Sequence, residues 1–268
     1  MHMWKSENLP EVVSWHEIQN TETADNVLSG KQPCIFRGLV GAWPIVCAAK
    51  DSVSALAEYL MSFDRGLKFQ AMLAAPQEKG RLFYGNNLKS FNFKLMNGYL
   101  KDAMEILAAF VDKVDSPAFY IGSTSISEYL SGMEKENSLS CLSDTIEPKI
   151  WIGNAVKVAT HNDDSQNIAC VAAGARRFTL FPPDQESNLY IGPHDITPGG
   201  RPISLVDLSD PNFERFPRFS EALKHASVAN LEAGDAIYIP TNWWHNVESL
   251  SSFNVLINYW WRGEPPVF

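Results

Sequence analysis

The second half of the chain alternates short runs of β-branched and aromatic residues with turn residues. From about residue 148 onward there are eight such runs, most of them bounded by Gly, Pro, Asp or Asn. Val, Ile and aromatic residues favour strands, and the residues between the runs favour turns. Eight short strands are typical of a jelly roll of two packed sheets. The runs are KIWIG, AVKVATHND, NIACVAAG, RRFTLFPP, ASVANLEAG, AIYIP, HNVESL and FNVLINYWW.

The first half of the chain mixes helical and extended patterns. DSVSALAEYLMSF places apolar residues at helical spacing after an N-cap candidate, Asp51 or Ser52. LMNGYLKDAMEILAAFV predicts a second helix, which Gly98 interrupts early. PCIFRGL and AFYIG (118–122) predict strands, and ISEYL predicts a short helix. We therefore expect a mainly β protein with a helical N-terminal part.

One long insertion interrupts the β-rich region. Residues from about 184 to 226 are polar and rich in proline, and they separate the fourth run from the fifth. Loops of this length inside a compact domain are usually functional, so we expect the insert to cover one mouth of the barrel. The pattern predicts a single domain over 1–268, with a helical and extended annex over 1–117 and a jelly-roll barrel over 118–268.

Composition limits the class of protein. The 268 residues are 45% hydrophobic, which is enough for a barrel with a helical annex. A net charge of −9 argues against a long basic track for phosphate backbones, so nucleic acid is an unlikely partner. The four cysteines are scattered, and neither an apolar leader nor a membrane-length apolar run is present in this sequence. We expect a cytoplasmic protein without membrane contact.

Three residues, His161, Asp163 and His245, carry the candidate chemistry. On a strand, residues i and i+2 point to the same face, so His161 and Asp163 project together while Asn162 and Asp164 point away. His245 follows GDAIYIPTNWW near the start of another predicted strand. Two imidazoles and one carboxylate with open positions favour non-haem Fe(II). These three residues are therefore our predicted metal ligands and catalytic residues.

The ligand set also bears on whether the metal could be zinc and on which cosubstrate the protein would use. A closed zinc site needs a fourth ligand, for which His194 in the insert is the best spare. An Fe(II) oxygenase takes two electrons from a donor, usually 2-oxoglutarate, whose far carboxylate needs a cation. Arg176 and Arg177 are candidates, and strand parity turns only one of them inward, although spacing alone does not choose between them. Tyr120 is a candidate hydroxyl donor to the same carboxylate.

These residues and their surroundings resemble the JmjC/cupin-like oxygenases, close to the asparaginyl hydroxylase that inhibits hypoxia-inducible factor and to bacterial cupin-like proteins. The resemblance runs from FRGLVGAWP to the C-terminus and is most specific in SQNIACVAAGARRFTLFPPDQ, GDAIYIPTNWWHNVESL and FNVLINYWW. It implies a double-stranded β-helix, or cupin barrel, flanked by helices. It also implies a dioxygenase that depends on Fe(II), 2-oxoglutarate and O2.

The resemblance assigns roles by position. The three predicted ligands match the iron ligands of the family. Arg176 stands where the asparaginyl hydroxylase has the lysine that pairs with the far carboxylate of 2-oxoglutarate, and Tyr120 matches a tyrosine that binds the same carboxylate. Two asparagines match residues that line the cosubstrate site. The residues with implied cosubstrate roles are thus Tyr120, Asn167, Arg176 and Asn258.

The chain also departs from the family pattern. Val158 stands where the asparaginyl hydroxylase has a threonine that contacts 2-oxoglutarate, so that donor is missing. Asn162 replaces the more usual tyrosine between the ligands, and we expect it to affect the outer pocket. Trp243 shares the inward face with His245 and is our second pocket candidate, whereas Trp244 is expected to pack outward. The C-terminal helices that dimerise the asparaginyl hydroxylase do not follow EPPVF, so a homodimer would use another surface.

We expect hydroxylation of a C–H bond in a protein side chain or a small molecule. Three alternatives stay open. One is a catalytically silent cupin-like protein that binds a partner or ligand, and another is a cupin with different metal chemistry. The third is a hydroxylase that modifies RNA, which the acidic composition disfavours. Stoichiometric formation of succinate separates an oxygenase from the first two.

Overall fold

The structure of the chain is a computed structural model that describes residues 8–14, 28, 30–111 and 113–263. The segment EPPVF (264–268), on which the dimerisation argument depends, lies outside these residues.

The strands are β1 (Cys34–Phe36), β2 (Phe69–Ala74), β3 (Arg81–Leu82), β4 (Phe93–Gly98), β5 (Ala118–Ser125), β6 (Lys149–Gly153), β7 (Lys157–Asn162), β8 (Gln166–Ala173), β9 (Ala175–Phe181), β10 (Ser227–Glu232), β11 (Ala236–Ile239), β12 (Trp244–Ser249) and β13 (Asn254–Trp261).

The α-helices of the described residues are fewer than the strands, and most of them lie in the first half. None of the helices among the residues that the structure describes is long and apolar enough to span a membrane. The helices are α1 (Pro44–Asp51), α2 (Val53–Ser62), α3 (Leu100–Phe110), α4 (Ile126–Tyr129), α5 (Met133–Glu136) and α6 (Phe219–Lys224).

The strands form two sheets. The larger has the order β1-β11-β8-β13-β6-β5-β2-β4, and the smaller has the order β10-β9-β12-β7-β3. The eight strands predicted in the second half, β6 to β13, divide evenly between them, with β6, β8, β11 and β13 in the larger sheet and β7, β9, β10 and β12 in the smaller. The inner faces of both sheets share one apolar core. This is the predicted jelly roll.

The annex extends the larger sheet and covers its outer face. Beyond β5, the annex strands β2 and β4 add to one edge, and β1 adds to the other. Leu56 of α2 and Leu107 of α3 are buried in one cluster with Ile152 and Ile257 of the larger sheet. The amphipathic helices therefore bury the outer apolar face of a sheet that would otherwise meet water.

Two annex elements differ from the predictions. FKLMNG forms β4, paired antiparallel with β2, and the second helix begins only at Leu100, after Tyr99 at its N-cap. The helical spacing of LMNG was overridden because pairing with β2 places these residues in a ladder, and strand formation depends on such partners. The helix predicted from DSVSALAEYLMSF is confirmed as α2, with the Ser52 side chain accepting a hydrogen bond from the Ala55 N–H.

The insert packs mainly on the outer face of the smaller sheet. Phe219 of α6 and Val206 are buried there against Phe181 and Trp244. The expected cover over one mouth of the barrel stays a prediction, although one part of the insert does lie at the ligand end of β7. That part is the segment around Arg201, which contacts Asn162 at the end of β7.

Candidate metal centre

The three predicted ligands lie together at one end of the barrel. His161 on β7 and His245 on β12 are paired in register, and their ring centroids are 4.3 Å apart. Asp163 follows β7 directly, and its Oδ2 lies 3.7 Å from Nε2 of His245. One ligand atom from each of the three residues lies within 4.8 Å of the others. The sequence spacing therefore produces a cluster that one metal ion can bridge.

Both histidines are held in the tautomer that metal binding needs. Nδ1 of His161 lies 2.8 Å from the carbonyl oxygen of Ala159, and Nδ1 of His245 lies 3.1 Å from that of Trp243. Because a carbonyl only accepts, each Nδ1 must carry the proton, which leaves the lone pair on Nε2. The donor set thus fits a metal without any change of tautomer.

Burial and charge keep two of the three ligands, His245 and Asp163, in their ligating protonation states. Burial and the neighbouring His161 ring lower the pKa of His245 to about 4, against the opposing effect of Asp163. Burial also acts to raise the pKa of Asp163, but the two imidazoles and the Trp260 N–H outweigh it and hold that pKa below its usual range. At neutral pH the site therefore offers a neutral His245 and an ionised Asp163.

Local backbone irregularities bring the ligands into position. The register of β12 with β7 shifts between His245 and Val247, which pair with His161 and Val158. This bulge lets Val158 and His161, three residues apart, line the same cavity. Asn242 has a φ of 67°, a left-handed conformation that asparagine tolerates, and its N–H donates to the Asp163 carbonyl at 2.9 Å.

A small cavity of about 40 Å³ leads from the triad into the barrel. The four residues with predicted cosubstrate roles all line it, so the fold brings them together with the metal ligands. The polar lining beyond the triad is Tyr120, Asn167, Arg176 and Asn258. The apolar and aromatic lining is Trp151, Val158, Phe178, Val247, Leu256 and Trp260.

Arg176 is the most unusual residue in this cavity. It is 0% exposed, and within the described ranges none of its three guanidinium nitrogens has a well-formed hydrogen bond. Arg177 points the other way and binds Asn230 and Glu248, so the register of β9 resolves which arginine faces inward. Burial lowers the pKa of Arg176, an effect that the nearby Tyr120 opposes. A buried cation without an anion is costly, which indicates a site for an anionic ligand.

Other polar groups connect the two ends of the cavity. Nδ2 of Asn258 donates to Oδ1 of Asn167 at 2.6 Å, and Nδ2 of Asn167 lies 3.4 Å from Oδ2 of Asp163. Oδ1 of Asn258 and Nε1 of Trp151 are buried and have no partner among the residues described. Burial raises the pKa of Tyr120, so its hydroxyl keeps a proton to donate. The cavity therefore holds several unused donors and one unused acceptor.

The two predicted pocket residues lie outside the cavity lining. Trp243 is buried in the core between the sheets, and its Nε1 donates to the Lys31 carbonyl at 3.0 Å. The side chain of Asn162 accepts a hydrogen bond from Arg201. Trp244 packs outward, against the insert, as expected. Parity with His245 correctly predicted that Trp243 points into the barrel. The inward face of the barrel extends beyond the cavity, however, so Trp243 does not line the cavity.

Sequence reasoning missed one residue that touches the metal ligands. Nε1 of Trp260 donates to Oδ2 of Asp163 at 3.2 Å. Strand parity could have identified Trp260, because it lies two residues after Asn258 on β13 and therefore points to the same face of the strand. His194, the spare zinc ligand, is not part of the His–Asp–His cluster, which is the only metal-type cluster found in the described part of the chain.

The two-sheet jelly roll with an inward His–Asp–His cluster is the architecture of a cupin with a metal site. Comparison with protein families gives the same answer: the model described as "Cupin-like domain" matches residues 20–266. The chain therefore belongs to this family of JmjC-like cupins. At family level, membership suggests an oxygenase of the Fe(II) and 2-oxoglutarate type.

Several curated proteins are similar to parts of the chain. Lysine-specific demethylase JMJ31 of Arabidopsis thaliana is 35% identical over 113 residues, which are 42% of this chain and 20% of that protein. The tRNA wybutosine-synthesizing protein 5 of Gallus gallus is 33% identical over 106 residues, 40% of this chain and 30% of that protein. Lysine-specific demethylase 8 of Xenopus tropicalis is 24% identical over 246 residues, 88% of this chain and 49% of that protein. The chain spans less than half the length of each.

Proposed function

We propose that this protein is an Fe(II)- and 2-oxoglutarate-dependent dioxygenase that hydroxylates a C–H bond. One observation carries the proposal: a single cavity joins a two-histidine, one-carboxylate cluster to a buried guanidinium that lies beside the Tyr120 hydroxyl but has no anionic partner within the described residues. Such a ligand set suits Fe(II) with open positions. The guanidinium suits the far carboxylate of a dicarboxylic acid.

The residues at the metal end have one task each. His161 and His245 would bind the iron through Nε2, since Nδ1 of each is held by a backbone carbonyl. Asp163 would supply the carboxylate, which Trp260 orients through its indole N–H. The chemistry that iron, 2-oxoglutarate and O2 supply when bound is oxidative decarboxylation of the keto acid to succinate, coupled to hydroxylation of a C–H bond.

The residues at the other end would bind and orient the cosubstrate. Arg176 offers a planar fork of donors to a carboxylate, and Tyr120 adds a hydroxyl. Asn167 and Asn258 continue the polar wall from Arg176 to Asp163. The apolar and aromatic walls of the cavity would limit the access of bulk water to the reacting atoms.

For the substrate we propose a protein side chain or a small molecule. The relatives named as lysine-specific demethylases favour a protein substrate. The relative named tRNA wybutosine-synthesizing protein 5 counts against our expectation that nucleic acid is an unlikely partner, so an RNA-modifying hydroxylase stays an alternative. A cytoplasmic location and a homodimer remain proposals.

The test is succinate formation from 2-oxoglutarate in the presence of Fe(II) and O2. Pools of peptides, metabolites and short RNAs are screened by mass spectrometry for the gain of one oxygen atom. We expect one pool to raise succinate formation in step with the oxygenated product, and the Asp163→Ala protein to form neither. A wild-type protein that binds Fe(II) and 2-oxoglutarate but forms no succinate with any pool would instead be a silent cupin-like binding protein.

A further inference from the structure

A short hairpin of the insert lies against the ligand end of β7. Its two arms are residues 190–192 and 203–205, joined by backbone hydrogen bonds of 2.8 and 2.9 Å. The second arm forms a β-bridge with His161 through Ile203. The hairpin therefore adds a short strand beside one of the three metal ligands, on the outer edge of the site.

Arg201 extends from this hairpin to the peptide unit between two ligands. Its Nε donates to the Asn162 carbonyl oxygen at 2.8 Å, and its Nη2 donates to Oδ1 of the Asn162 side chain at 3.1 Å. The carbonyl belongs to the peptide bond that joins Asn162 to Asp163, and His161 precedes it. A planar guanidinium that donates hydrogen bonds to both the backbone carbonyl and the side chain of Asn162 fixes the orientation of Asn162.

The ion pair that Arg201 also makes contributes less. Its Nη1 lies 3.8 Å from Oδ2 of Asp164, and these side chains are 34% and 54% exposed. Arg262 holds the same carboxylate oxygen at 2.6 Å, although its side chain is 73% exposed. Exposed ion pairs contribute little to stability, and Asp164 already has a closer cation. Of these two contacts, the one with Asn162 therefore contributes more to holding the turn between the ligands.

We infer that Arg201 is a positioning residue of the metal centre: its two hydrogen bonds to Asn162 set the turn that presents His161 and Asp163 together. The inference rests on the proposed metal-binding function and goes beyond it, because it makes the insert a working part of the site. Groups that orient ligands in this way typically change metal affinity by about 10–100-fold when they are removed.

The experiment uses Co(II) as a spectroscopic probe of the metal-free protein. Its dissociation constant and the visible absorption of the bound ion are measured for the wild type, Arg201→Ala and Arg201→Lys. We expect Arg201→Ala to weaken Co(II) binding by about 10–100-fold and to change the absorption of the bound ion. Arg201→Lys should restore affinity only in part, because an ammonium group lacks the planar fork.

Two controls separate positioning from general loosening. Arg262→Ala removes the other cation on Asp164, and Tyr84→Phe removes a hydroxyl that holds the hairpin loop through the Ile196 carbonyl at 2.8 Å. Neither variant touches Asn162, so both should bind Co(II) within about twofold of the wild type, as exposed or remote contacts do. Thermal unfolding of each metal-free variant is recorded alongside.

The outcomes are distinguishable. Arg201→Ala affinity equal to that of the wild type, or no weaker than that of Tyr84→Phe, overturns the positioning role. Arg201→Ala and Arg201→Lys that lose affinity only in proportion to their loss of thermal stability also overturn it. A wild-type protein that binds neither Co(II) nor Fe(II) overturns the proposed function itself.

Discussion

The two ends of the cavity differ in how the protein satisfies their polar groups. At the metal end, the Nδ1 of each histidine donates to a backbone carbonyl, and Asp163 accepts from Trp260. At the other end, Arg176 is fully buried, yet its nitrogens make no well-formed hydrogen bond in the described part of the chain. The first end is organised by hydrogen bonds within the protein, whereas the guanidinium at the second end has no anion beside it among the described residues.

Because of this difference, substitutions at the two ends should affect different properties of the protein. Preorganised ligands favour metal binding because little orientation is lost when the ion arrives. An unpaired buried charge, in contrast, destabilises the protein until an anion neutralises it. Changes at the metal end should therefore act on metal affinity, and changes at the Arg176 end should act on ligand affinity and on the stability of the ligand-free protein.

The largest effect should come from breaking the metal end. Asp163→Ala removes the carboxylate that lies 3.7 Å from Nε2 of His245, and we expect loss of measurable Fe(II) binding and of succinate formation. Asp164→Ala is the matched control, since it removes the same charge one residue away, where the side chain pairs with Arg262. Anaerobic Fe(II) titration measures both. Equal loss in the two variants would show that net charge, not the cluster, binds the metal.

The next effect should come from the Arg176 end. Arg176→Met keeps the apolar volume and removes the charge, so we expect 2-oxoglutarate affinity to fall by about 30-fold or more, equivalent to about 2 kcal/mol. Fe(II) affinity should stay unchanged. Because the substitution removes an unpaired buried cation, the metal-free protein should unfold at a higher temperature.

The matched control for this variant is Arg177→Met. Arg177 is adjacent in sequence but points outward to Glu248 and Asn230, so 2-oxoglutarate affinity should be unaffected. Isothermal titration of the Fe(II)-loaded protein with 2-oxoglutarate gives both affinities, and thermal unfolding gives both stabilities. An Arg176→Met protein that binds 2-oxoglutarate as tightly as the wild type would show that the guanidinium has another partner.

The smallest effect should come from a gain of one donor. Val158 lines the cavity. The asparaginyl hydroxylase that the chain resembles has a threonine at this position. Val158→Thr is nearly isosteric, and one added hydrogen bond should contribute about 0.5–1.5 kcal/mol, or roughly 2- to 13-fold tighter 2-oxoglutarate binding. The same titration measures it. Val247→Thr, which changes another residue of the cavity lining, is the control. An equal gain in 2-oxoglutarate affinity in both variants would show that position 158 has no specific role.

Much of the fold could be predicted because the barrel strands carry their own signal. Runs such as KIWIG and FNVLINYWW combine strand-forming residues with clear turns, and they became β6 and β13. The annex was harder to predict. FKLMNG is a strand only because β2 lies beside it, and that partner is distant in the sequence.

The candidate site shows the same limit. The parity of neighbouring residues was enough to place His161 and Asp163 together, because that relation is local. The choice between Arg176 and Arg177 depended on the register of β9 with β10 and β12, which no local pattern specifies. Arg201 gave no signal at all, since its contact with Asn162 arises only when a loop of the insert folds back on β7.

The most direct test of the account is an anaerobic titration of the protein with Fe(II), with and without 2-oxoglutarate, followed by visible absorption. We expect a weak charge-transfer band that appears only when both are present, that is lost in Asp163→Ala, and that needs much more 2-oxoglutarate in Arg176→Met. Fe(II) binding with no band at any 2-oxoglutarate concentration would contradict the claim that the two ends of the cavity serve one metal and one cosubstrate.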